Sequence, residues 1–196
     1  SALEQGATLY SHLRAERLIV EGDQVRGVDC VAMEPAGVHP RALRVRLRAR
    51  HVVLAAGAIG SPALLLRSGL PDPAQRVGRR TFLHPVALSA AVMPQVVAGH
   101  AGAPQSLYSD HYLHRDPIDG PVGFKLESAP LHPVLFGTTL QGYGEAHAGL
   151  MREFPHAQVL LALLRDGFHE ASPGGTVQLR DDGTPVLDYP LNDYLF

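Results

Sequence analysis

The chain has 196 residues, a net charge of −2 and 45% hydrophobic residues, the profile of a soluble globular protein long enough to bury the core of one or two domains. This balance gives no electrostatic case for nucleic acid or a membrane surface as partner, no apolar run reaches the length of a membrane span, and no secretory leader is evident. The single cysteine, Cys30, excludes an internal disulfide and fits a reducing compartment, so the expected location is cytoplasmic.

Residues 7–56 read as strands. Leu18-Ile19-Val20 and Val25 to Val31 flank Glu21-Gly22-Asp23, a hairpin turn signal. Cys30 falls inside this strand pattern, which makes it a buried, inert thiol. Pro35, Gly37 and Pro40 mark a loop. From Ala42 to Ala49 the pattern alternates, with Leu43, Val45 and Leu47 on one face and Arg44, Arg46 and Arg48 on the other. That is a half-buried strand with a basic outer face. A nucleic-acid stripe would need aromatic interleaving and a basic excess, and neither is present.

Val52 to Ala56 is a short apolar run, β-branched at its start, and fits a strand buried on both faces. Alone it fits a piece of buried helix equally well. Gly57 and Gly60 favour a break after Ala56. Ser61 suits a helix N-cap, Pro62 the first helical position and Gly69 a left-handed residue closing the helix. Ala55, Ala56, Gly57 and Ala58 leave almost no side-chain bulk at the strand's end, where ligands sit in doubly wound sheets. A cofactor approaching the backbone and a tight strand-to-helix turn without ligand both explain such a layout.

Residues 69–150 are rich in Pro, Gly and His. Val86 to Met93 reads as a strand of a second layer, and Gln95 to Gly123 as loop. His111 and His114 are three apart, yet no cysteine or carboxylate at ligand spacing supports a metal, and none is expected. Loop or surface histidine is the better reading for nearly all eleven histidines. Ala157 to Leu164 is an apolar run that fits strand or helix. Thr176 to Arg180 and Pro185 to Tyr189 flank Asp181-Asp182-Gly183-Thr184, a second hairpin.

The run Gly57-Ala58-x-x-Ser61-Pro62-x-Leu64-Leu65-x-x-Ser68-Gly69-Leu70 resembles the second signature of the glucose–methanol–choline (GMC) flavin oxidoreductases. Pro71 departs from it, since the family usually has glycine there. Val77-Gly78-Arg79-Arg80-Thr81-Phe82-Leu83-His84-Pro85 resembles a downstream family segment. Its Leu-His-Pro form is similar to the long-chain alcohol oxidase branch, as is the residue order from Arg165 to Tyr189. Arg14 to Gly22 followed by Val25 to Val28 resembles the adenine-side strand and its hairpin.

The resemblance implies a mixed α+β chain. A β-meander with a strand–turn–helix would be part of an FAD-binding domain, over residues 1–85. Residues 86–196 would be part of a substrate-binding domain built on an antiparallel sheet with long loops. It further implies FAD as cofactor, with Ala15 contacting adenine through its backbone and Ala56, Gly57 and Ser61 near the adenosine half. The partner would be a small-molecule alcohol rather than nucleic acid. His84 stands out among the histidines because it lies in a family segment. Members bind the FAD pyrophosphate with a Gly-x-Gly-x-x-Gly turn and use a histidine as base beside the flavin. No residue here matches either element, so no catalytic residue is assigned. The chain, which starts at Ser1-Ala2, is expected to be an inactive middle piece of an FAD-dependent alcohol oxidase or dehydrogenase. Two alternatives are another flavoprotein with a similar strand, and a non-catalytic binding or structural module derived from one.

Overall fold

A computed structural model describes residues 1–103 and 105–195. These form two compact units, residues 1–81 with 175–189, and residues 82–174 with 190–195. The structure is mixed α+β, as the sequence implies, and its sheets are antiparallel.

The first unit opens with a meander of β1 (Leu13–Glu21), β2 (Gln24–Met33) and β3 (Pro40–Arg48), in the order β1-β2-β3. Glu21 pairs with Gln24, so Gly22-Asp23 is a two-residue turn, and Gly22 supplies its positive φ of 63°. Leu18, Cys30, Val31 and Met33 are the buried apolar residues of the meander. The basic outer face foreseen for β3 is neutralised across the strands. Arg46 donates two hydrogen bonds to Asp29 at 2.7 and 2.9 Å, Arg44 pairs with Glu16, and Arg48 pairs with Glu21. Opposite-charge neighbours of this kind stabilise a pleated face. The β2–β3 ladder also needs Gly27: a Cβ there would stand 2.0 Å from the Leu47 carbonyl oxygen, at φ +150°.

Two expectations for the next segment are corrected. Val52 to Ala56 is not a strand, because no neighbouring strand offers it a ladder among the described residues, and Val53 is 86% exposed. An apolar run becomes a strand only where another strand satisfies its amides. Helix α1 spans Gly57–Ser68, five residues earlier at its start than Ser61 as cap would give, and its N-cap is Ala56. Pro62 therefore lies inside the helix, where its missing N–H removes one rung near the N-terminal end. The C-terminal end is as read: Gly69 caps it in the left-handed region, φ 64° and ψ 33°, with its N–H bonded to the Leu66 carbonyl at 3.1 Å.

The second unit is a four-stranded sheet with β4 (Val86–Val92), β5 (Tyr108–Ser109), β6 (Phe124–Ser128) and β7 (Ala157–Leu164), in the order β4-β7-β6-β5. The ambiguous Ala157 to Leu164 run is thus a strand, and it is central. Helices α2 (Pro133–Thr139) and α3 (Gly144–Arg152) precede it. Leu131, Phe136 and Ala157 form the core, lined by Leu140, Met151, Phe154 and Val159. Apart from β5, Gln95 to Gly123 contains no strand or helix among its described residues. No helix among the described residues is long and apolar enough to cross a membrane.

The chain then returns to the first unit. The second hairpin, β8 (Thr176–Leu179) and β9 (Pro185–Asp188), lies against α1, whereas the sequence division at residue 86 places it with the second region. Val177 is 2% exposed and its N–H bonds the Gly78 carbonyl at 2.6 Å. Thr81 and Gly175 exchange backbone hydrogen bonds at 3.0 and 2.7 Å. These bonds tie the segment after α1 to the hairpin.

Candidate cofactor-side site

The site is built around the two ends of α1. At the N-terminal end Gly57 has φ +73°, and a Cβ there would meet nothing within 4 Å. Glycine is therefore required by the backbone turn and not by crowding. The N-cap Ala56 makes no side-chain capping bond to the first turn, whose leading amides have no partner within the helix. Ser61 turns its hydroxyl back and accepts a hydrogen bond from the Ala56 N–H at 3.0 Å. Ala55, Ala56, Gly57 and Ala58 are all exposed. The result is a small, open, amide-rich ledge of the kind that receives oxygen-rich ligand groups.

At the other end the last turn of α1 is bonded to the outer edge of β1. Ser68 accepts a hydrogen bond from the Leu18 N–H at 2.9 Å and donates to the Leu64 carbonyl at 2.6 Å. Arg67 reaches three carbonyls: Nη2 to Ala15 at 3.3 Å, Nε to Glu16 at 3.2 Å, and Nη1 to Gly183 in the β8–β9 turn at 3.3 Å. Around it lies a cleft of about 160 Å³ that Arg14, Glu16, Asp182 and Pro185 also line. Arg14, with Arg44 beside it, holds the Glu16 carboxyl below the usual carboxylate range. Beyond Gly69, the Asp72 carboxylate accepts from the Val77 N–H at 2.8 Å and the Arg76 N–H at 3.0 Å. Those amides lower its pKa and fix the turn in which Pro71 departs from the family pattern.

Of the residues singled out on the sequence, Ala56, Gly57 and Ser61 meet at the start of α1. Ala15 lies at its end. Gly57 and Arg67 are ten residues apart along the helix, about 15 Å at 1.5 Å per residue. The four therefore mark two ends of an extended site. His84 is exposed in the second unit, beside a depression of about 600 Å³ that Phe82, Lys125, Glu127, Arg165 and Phe168 also line. His111 packs edge-on against Tyr112 and His114 contacts Arg165. Among the described residues no group of three or more His, Cys, Asp or Glu is placed to hold a metal.

Sequence reasoning missed Arg67. A basic residue in the last helical turn was visible as a complement to the helix dipole. Its acceptors come from β1 and the β8–β9 turn, 51 and 116 residues away in sequence, and no local pattern announces them.

The fold class defined by these elements is a mixed α+β piece consistent with part of an FAD-binding domain. Residues 1–86 match the model of a known family, GMC oxidoreductase. A long-chain-alcohol oxidase of Arabidopsis thaliana is 26% identical, over 84% of this chain and 23% of its own length. An uncharacterized GMC-type oxidoreductase of Mycobacterium tuberculosis is 29% identical, over 84% of this chain and 24% of its own. Another from Sinorhizobium fredii is 26% identical, over 71% and 25%. The chain spans about a quarter of the length of these relatives.

Proposed function

We propose that the chain is part of an FAD-dependent oxidoreductase acting on the CH–OH group of an alcohol. In this reading the first unit belongs to the FAD-binding domain and the second to the substrate-binding domain. Bound FAD would supply the acceptor for a hydride from the alcohol carbon. The observation that carries the reading is the ledge at Ala56, Gly57 and Ser61, within the segment that matches the family. Small exposed residues, uncapped amides and a glycine with free space above it fit the adenosine half of a dinucleotide. Ala15 would meet adenine through its backbone. The alcohol substrate rests on relatives named as long-chain-alcohol oxidases. Burial pushes the Cys30 thiol pKa up, with Asp29 adding to the effect, and an inert, unpaired thiol supports a cytoplasmic location.

This chain alone is proposed to bind FAD weakly and to turn over nothing. Its residues include neither a Gly-x-Gly-x-x-Gly phosphate turn nor a histidine assigned as catalytic base. Two measurements test these statements. Purified chain is expected to be colourless; stoichiometric flavin absorbance would overturn the weak-binding proposal. The polypeptide encoded by the complete reading frame is expected to oxidise at least one alcohol in a panel of short and long primary alcohols, with an artificial electron acceptor present. No turnover of any of them overturns the functional reading.

A further inference from the structure

The register of β1 gives Arg67 a role beyond holding the fold. The β1–β2 pairing shifts between Ala15 and Arg17, so Glu16 is the extra residue of a bulge. Ladder bonds of an antiparallel pair alternate, and both polar groups of a residue point to the same side. The Ala15 carbonyl points away from β2, because it accepts from Arg67. The Ala15 N–H therefore lies on the same outer edge. The Leu18 N–H also lies there and is taken by Ser68. The last turn of α1 thus occupies the Ala15 and Glu16 carbonyls and the Leu18 amide, and leaves the Ala15 amide as the donor presented to a ligand.

We infer that Arg67 is a positioning residue for the adenine half of the cofactor: its guanidinium fixes the Ala15–Glu16 bulge and thereby aims the Ala15 N–H. The inference rests on the proposed adenine contact at Ala15. A bulge is a point where a strand's direction and the aim of its groups are set, and a charged donor shared by two successive carbonyls restricts both peptide planes at once. The third acceptor, Gly183, anchors the guanidinium from the opposite side. Lysine, a single ammonium without the planar fork, cannot reproduce this three-way arrangement.

The test uses the 196-residue chain, labelled with ¹⁵N, and adenosine 5′-monophosphate (AMP) at millimolar concentrations as the probe, since it carries adenine without the flavin. In the wild-type chain the Ala15 amide resonance is expected to shift on titration. In Arg67→Met and Arg67→Lys the AMP Kd is expected to rise about tenfold, a loss of roughly 1.4 kcal/mol. The Val177 and Leu179 amides of β8 should keep their positions, which shows that the unit is still folded. Should Arg67→Met lose those signals, Arg67→Lys carries the comparison, and Ser68→Ala provides a second variant in which the guanidinium remains and AMP affinity should hold. A wild-type response retained at full affinity in the folded Arg67 variants overturns the inference and leaves the Ala15 reading standing. A wild-type Ala15 amide that ignores AMP overturns both.

Discussion

The outer edges of β1 and β4 present the same physical problem and are treated in opposite ways. Each belongs to the first strand of an antiparallel sheet and carries unpaired backbone groups. On β1 the edge is covered by the last turn of α1, with Arg67 on the Ala15 and Glu16 carbonyls and Ser68 on the Leu18 amide. On β4 every residue is exposed, with Val86, Leu88 and Val92 at 46, 63 and 55%. The covered edge uses polar side chains from a helix that also buries Ala63 and Leu64. In the first unit helix, edge and hairpin depend on one another, while β4 is hydrogen-bonded along one side to β7. The lesson is that one helix end can act as a tertiary stitch: Arg67 and Ser68, just before the closing Gly69, join strand, helix and turn.

A matched pair of substitutions gives the largest contrast. Leu64 on α1 is 6% exposed, so Leu64→Ala removes buried methyl groups and leaves a cavity, lowering unfolding free energy by about 2–5 kcal/mol. Leu88 on β4 carries the same side chain at 63% exposure, and Leu88→Ala is expected to change stability by no more than about 0.5 kcal/mol. Urea unfolding of both variants checks this, and equal losses would break the comparison. A smaller effect is expected at Gly69. A Cβ there would meet nothing within 4 Å, so Gly69→Ala isolates the strain of the left-handed backbone, about 1–2 kcal/mol. A neutral result in thermal melts would mean that the α1 C-terminus relaxes freely and that the stitch to β1 is loose.

Much of this was legible in the sequence, for reasons that differ by element. The β1–β2 hairpin could be read because Gly22 carries its turn locally, and β3 because its alternation is strict. The left-handed end at Gly69 was readable because only glycine adopts φ 64° at no steric cost. The start of α1 was misread. Ser61-Pro62 has the chemistry of a cap, but the glycine at Gly57 lets the chain turn five residues sooner, and the Ser61 hydroxyl accepts backwards from the Ala56 N–H. Val52 to Ala56 failed as a strand because strandhood depends on a neighbour, which composition does not supply. The candidate ledge at Ala56, Gly57 and Ser61 is local and so was named in full. Arg67 was not, because its partners are set by topology.

The smallest expected effect concerns the charges on the outer face of the covered sheet. Glu16 sits in the bulge, and its carboxylate is paired with Arg14 at 2.9 Å and with Arg44. The hydrogen bond from Arg14 is the main cause of its lowered pKa, and Arg44 adds to it. A carboxyl whose pKa is lower folded than unfolded stabilises the fold when ionised in both states, that is, above the ordinary glutamate value of about 4.3. Its contribution declines as pH falls through the lowered, folded-state value and is gone below it. The pair is partly solvated, with the Glu16 side chain 27% exposed and Arg44 73%, so water and salt screen it and its contribution stays under about 1 kcal/mol. Glu16→Gln should therefore lower the urea midpoint slightly at pH 7 and at low salt, and should converge with the wild type once the pH falls below the lowered folded-state value of Glu16, and in high salt. Because the variant keeps the Glu16 carbonyl that Arg67 engages, its effect measures the charge ladder alone. If Glu16→Gln instead costs as much as Gly69→Ala, and the loss persists at low pH, the side chain holds the bulge itself, and the guanidinium of Arg67 is not sufficient to close the edge of β1.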